Sequence, residues 1–149
     1  MPLKPALHAA CQAFVEQRIA AARAAMDAAQ ESALSDTKSS AGDKYETGRE
    51  MAGAERERNA AQLQQAQQLM AELQRISPDA PCDTVRPGAL LRTSLGWFYV
   101  AISAGKLVAD GREVFAVSPA APVALALKGK RAGEEALFNG KALRVESIE

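Results

Sequence analysis

The side chains able to do chemistry gather in three places along this chain. The first is a run of turn formers, Ser35-Asp36-Thr37-Lys38-Ser39-Ser40-Ala41-Gly42-Asp43, with Glu46 three residues beyond Asp43. The carboxylates of Asp36, Asp43 and Glu46 are hard oxygen donors. Mg²⁺ takes one or two such groups alongside phosphate oxygens and water, and metal ions held in this way activate water against a phosphodiester. A structural use competes: Asp43 is placed to cap a following helix, with Glu46 as the acid of its capping box. Capping is the preferred reading for that pair, whereas Asp36 has no comparable structural task. The second place is a basic loop, Lys128, Lys130 and Arg131, suited to RNA or an acidic protein surface, and equally to a solvated turn. The third is the aromatic set Trp97, Phe98, Tyr99, Phe115 and Phe138, most of which a domain this small needs for its own core.

Composition removes several other chemistries. The chain of 149 residues has one histidine, His8, and two cysteines, Cys11 and Cys82. A structural zinc site needs four such ligands, and a Ser-His-Asp triad would rest on His8 alone. His8 falls close to the start of the first helix, where fraying predicts no catalytic task. Cys11 falls on an apolar stripe and reads as packed rather than reactive. Two isolated thiols fit a reducing compartment. Eighteen basic residues balance eighteen acidic ones, so the basic footprint of a dedicated nucleic-acid binder is missing. Gln12, Glu16, Gln17 and Arg18 interrupt the opening apolar residues, which predicts neither a signal peptide nor a membrane span and hence a cytoplasmic protein.

These groups have to be positioned by two chemically different halves. Ser77-Pro78-Asp79-Ala80-Pro81 ends helices and starts a linker. Before it Ala, Gln, Glu and Arg dominate; after it come five of the seven aromatics and seven of the ten glycines. Residues 5–35 are strong helix formers, with a seam at Cys11, Val15, Ile19, Ala22, Met26, Ala29 and Ala33 stepping by four and three. A second helix over 44–76 carries Leu63, Ala66, Leu69, Met70, Leu73 and Ile76, with Glu55-Arg56-Glu57-Arg58 as a solvated section. The short connection makes them antiparallel, a finger on the order of 45 Å long at ~1.5 Å per residue. Gly48 and Gly53 weaken it near its tip. Beyond the linker, strands are predicted over 89–94, 97–103, 106–108, 113–117 and 141–148, with a short helical segment over 122–128. The expected architecture is α+β. An antiparallel coiled-coil hairpin (1–77) and a linker (78–81) precede a small antiparallel sheet domain with one short helix (82–149).

Two stretches resemble the Gre family of bacterial transcription elongation factors. One is Asp36-Thr37-Lys38 with Tyr45-Glu46-Thr47-Gly48-Arg49-Glu50. The other is Val117-Ser118-Pro119-Ala120 through Ala126-Leu127-Lys128-Gly129-Lys130-Arg131-Ala132-Gly133-Glu134, then Asn139-Gly140 and the closing strand 143–148. The resemblance implies an FKBP-like C-terminal domain that docks on RNA polymerase at the rim of the secondary channel. It also implies that the finger enters the channel toward the RNA 3′ end, with no sequence-specific DNA binding. In the family an Asp and a Glu three residues later help hold a catalytic Mg²⁺ shared with the polymerase. Asp36 matches the first position, Ser39 stands at the second, and two extra residues precede Tyr45. The resemblance therefore assigns the tip to Asp36; Asp43 and Glu46 are further candidate ligands by their own chemistry as tip acids. It implies no activity independent of polymerase and no cofactor held by the free chain. Two other classes compete: a prolyl isomerase or chaperone using the aromatic set, and a coiled-coil protein pairing with a second copy.

Overall fold

The computed structural model of the protein describes residues 3–38 and 43–149, with side chains described at 3–31, 50, 51 and 53–149. Two long helices, α1 (Leu3–Lys38) and α2 (Asp43–Gln74), precede β1 (Leu90–Thr93), β2 (Gly96–Val100), β3 (Gly105–Ala109) and β4 (Arg112–Val117). The short helix α3 (Pro122–Leu127) follows, then β5 (Glu135–Phe138) and β6 (Lys141–Ile148). This is the α+β arrangement that the composition break predicts. The first helix continues past its expected end, so the backbone of Asp36, Thr37 and Lys38 is helical. The second ends two residues early, and Arg75 and Ile76 close its last turn through bonds to the carbonyls of Glu72 and Leu73, at 3.2 and 3.1 Å. No helix among the described residues is long and apolar enough to cross a membrane.

Contacts gather the chain into two compact units that divide within the helices: Val15–Met70 form one, and Met1–Phe14 with Ala71–Glu149 the other. In the helical unit, Val15, Ala22 and Ala29 on α1 and Ala66 on α2 are buried, while Ile19, Met26, Leu63, Leu69 and Met70 are half-buried. The expected seam is therefore the observed one over the described side chains; that of Ala33 lies outside them. Glu55, Arg56, Glu57 and Arg58 are exposed, as their charges require.

The other unit is built on a six-stranded sheet in the order β3-β4-β2-β1-β6-β5. It is mixed rather than wholly antiparallel, because β4 inserts between β2 and β3 and runs parallel to β2, pairing Trp97 with Val114 and Val100 with Val117. Strand β5 was not expected from its four residues. It pairs with β6 through a two-residue turn in which Asn139 and Gly140 both have positive φ, 53° and 77°, the conformation that Asn-Gly favours in hairpins. Along β6 the register shifts opposite Arg92/Thr93, so that Val145 faces Thr93 and Ile148 faces Leu91. The extra residue resets the alternation, and Leu143, Val145 and Ile148 all reach the core beneath α3. There Val123, Ala124 and Leu127 pack with Leu91 and Val100. Truncating a leucine as buried as Leu127 costs about 2–5 kcal/mol.

Between α2 and β1 the chain passes Gly88 at φ +92°, where an added Cβ would meet Ile76 Cγ2 at 3.2 Å. Left-handed backbone costs an L-residue roughly 1–2 kcal/mol. Gly88→Ala should therefore lower the unfolding free energy by about that much or more. Gly53→Ala, with open space around its site on α2, should instead raise it by up to about 1 kcal/mol. Urea unfolding followed by circular dichroism tests both signs.

Candidate functional site

The predicted tip acids divide between the helix ends. Asp36 belongs to the last turn of α1, while Asp43 begins α2 and Glu46 follows one turn later. Their side chains, and Ser39 altogether, lie outside the described residues, so the capping and metal-ligand readings of these acids lie outside them too. Among the described residues no three His, Cys, Asp or Glu side chains gather as a metal-binding group.

The second stretch singled out by the sequence forms a surface whose backbone is tied at several points. After β4, Ser118 builds the turn: its carbonyl accepts from Ala121 N at 3.0 Å and its Oγ accepts from Ala120 N at 3.2 Å. Pro122 then opens α3 at a position where its missing N–H is no loss. Past Leu127, Gly129 at φ 76° reverses the chain. The loop is pinned in both directions, Gly129 N donating to Val85 O at 3.0 Å and Val85 N to Lys130 O at 2.9 Å. Glu134 Oε1 accepts from Arg131 N at 2.8 Å. The backbone of the basic loop is thus fixed, with Lys128 and Arg131 exposed and Lys130 half-buried.

This loop borders a groove. One part, about 200 Å³, is lined by Val85, Arg86, Pro87, Val100, Pro119, Ala124 and Lys128. A second part, about 500 Å³, shares Pro87 and Pro119 and continues over Ala101, Ser118, Ala120 and Ile76 to Glu72 and Arg75. The floor is apolar and the rim carries three cations, Arg75, Arg86 and Lys128, against the single acid Glu72. Arg86 is held by a hydrogen bond from its guanidinium to Pro81 O at 2.9 Å. The sequence pointed to the Ser118-Pro119 and Lys128 sides of this groove and missed the Val85–Pro87 side, where Pro87-Gly88 was a legible turn signal.

The aromatic set does not share one site, and none of its members lines either part of the groove. Tyr99 is fully buried, Phe98 and Phe138 pack on the core, and Phe98 meets the more exposed Phe115 with ring centroids 6.0 Å apart. Trp97 lies under two guanidinium groups, 4.9 Å from Arg112 and 6.0 Å from Arg92. Arg92 is also paired with Glu146 at 3.2 Å.

His8 is not on a frayed end, contrary to expectation. It sits in the second turn of α1, and its Nδ1 shares a hydrogen bond of 2.9 Å with Tyr99 Oη. Burial holds its imidazole below the usual range, with the charge of Asp79 pulling the other way. Cys11 is buried as expected, and desolvation pushes its thiol up to about 11, which leaves little thiolate at neutral pH.

Neither protein-family models nor curated proteins match the chain.

A lowered histidine pKa has a definite sign in stability. The unfolded chain binds the proton more readily than the native state, so the His8 contribution is full above the unfolded value of 6.5 and is lost as pH falls through the lower native value. The midpoint of urea unfolding should fall between about pH 7 and pH 5, and His8→Gln should flatten that part of the profile. A slope unchanged in the variant would assign the pH dependence to other groups.

Proposed function

We propose that the protein is a Gre-type transcription factor of the cytoplasm. It docks on RNA polymerase through its C-terminal domain and modulates elongation with the end of its helical hairpin in the secondary channel. The observation that carries this reading is the groove. The stretch from Val117 to Glu134, where the resemblance is most specific, forms one wall of an apolar concavity rimmed by Arg75, Arg86 and Lys128. Such a surface suits an acidic protein segment that places apolar side chains on the floor. Opposite charge steers its approach, and the apolar contact supplies most of the affinity. A helical hairpin precedes this surface in the chain, as an inserting factor requires.

At the hairpin end, Asp36 is the acid assigned to the channel, with Asp43 and Glu46 as the further carboxylates able to take an oxygen-ligated Mg²⁺. A serine hydroxyl at position 39 ligates this hard ion more weakly than a glutamate does, so transcript cleavage is expected to be slow or absent.

Two experiments test the reading. Core RNA polymerase should be retained by the immobilised full chain, and the double variant Arg86→Glu/Lys128→Glu should weaken retention by roughly tenfold or more. Equal binding by the variant would move the dock elsewhere, and no retention of polymerase by the wild type would end the proposal. On stalled complexes with backtracked RNA, the wild type should cleave slowly and Ser39→Glu should raise the rate. Fast wild-type cleavage abolished by Asp43→Ala would assign the second carboxylate to Asp43.

A further inference from the structure

The helical unit contains a layer that is poorly filled and polar. Ala22 and Ala29 on α1 are buried seven residues apart, and Ala66 on α2 is buried with Asn59 seven residues before it. Seven residues are close to two helical turns, so Asn59 occupies the seam stripe of α2. It is half-buried, and its Nδ2 is the one buried side-chain nitrogen or oxygen among the described residues that has no hydrogen-bond partner. One turn along, an open-sided gap of about 360 Å³ separates the helices, lined by Arg18, Ala21, Ala22, Gln62, Gln65 and Ala66. Alanine contributes a single methyl group to a seam. An unmade amide hydrogen bond subtracts from it, and a gap forfeits the dispersion contacts its walls would make. Beyond this layer α2 is exposed at every described position from 50 to 58, including Gly53.

From these observations we infer that the seam between Ala22 on α1 and Asn59 on α2 is a joint. Residues 23–31 and 50–58, on its far side, open and close together as a local unit, while Val15–Ala21 and Leu63–Met70 stay paired. Segments with few buried apolar contacts are those that open below the global unfolding free energy. Here an amide without a partner stands in mid-seam, one turn from the gap, where an aliphatic side chain would pack. The joint is a property of the chain alone and holds whether or not polymerase is the partner.

Hydrogen exchange read by mass spectrometry on the full chain tests it. In the wild type, amides in 23–31 and 50–58 should exchange at least about tenfold faster than those in 63–70, corresponding to an opening about 1.4 kcal/mol easier. Progressive fraying would give a similar gradient, so the decisive measurement is on variants. Asn59→Leu should slow exchange in 23–31 and 50–58 by about tenfold or more and leave 63–70 unchanged. Asn59→Ala, which removes the amide without filling the layer, should slow the same segments by a smaller factor and guards against misfitting of the leucine. Exchange beyond the layer that is unchanged or faster in both variants overturns the joint, as do equal wild-type rates on its two sides.

Discussion

A phenol buried in a protein interior must keep its hydroxyl hydrogen-bonded or forfeit about 1–3 kcal/mol, and Tyr99 finds its partner far away in the chain. Its neighbours Phe98 and Val100 point toward α3 and the main core, so strand alternation turns Tyr99 to the opposite face of the sheet. There His8 meets its hydroxyl at 2.9 Å. The ring pair stands edge to face, with centroids 6.2 Å apart. Because His8 comes from α1, the Tyr99 hydroxyl has this partner only when the start of α1 has joined the sheet. The compact unit accordingly contains both.

Lys4 reinforces the same junction. Its side chain is buried, and its ammonium donates to Ala80 O at 2.7 Å and Glu149 O at 3.1 Å, with Cys82 Sγ at 3.9 Å. A buried ammonium is tolerated only where acceptors replace its water. Here they come from the proline-rich connection and from the residue after β6. The segment 78–81 is therefore held at Ala80 by Lys4 and at Pro81 by Arg86, and Arg86 is thereby positioned on the rim of the groove.

The proposed activity asks opposite things of the two units. A docking groove gains from walls that do not move, and its walls are set by Ser118, by the reciprocal hydrogen bonds between Val85 and residues 129–130, and by Gly88 N donating to Val100 O at 2.7 Å. Preorganisation of this kind lowers the ordering cost of association. The helical unit is different, because its buried seam positions on α1 include Ala22 and Ala29 and the facing stripe of α2 holds an unpaired amide. A hairpin entering a confined channel gains from such compliance in a way that a docking surface does not.

Local signals in the amino-acid sequence determined the helical stripe, the break at the prolines, most strand positions and the packed state of Cys11. Each follows from a periodicity of 3.6 or 2, or from a residue that stops an element, and such patterns act over a few neighbours. The Ser118-Pro119 and Lys128 walls of the groove were legible for the same reason, as a turn and a basic loop. What only the tertiary structure decided were pairings across long stretches of chain: the parallel insertion of β4 beside β2, the register shift that brings Ile148 into the core, and the meetings of His8 with Tyr99 and Lys4 with Glu149. None of these partners lies within a local window. Arg86 and Pro87 belong to the groove because the backbone at Val85 pairs with Gly129 and Lys130, a choice made by the global packing of the sheet and by no neighbour in the sequence.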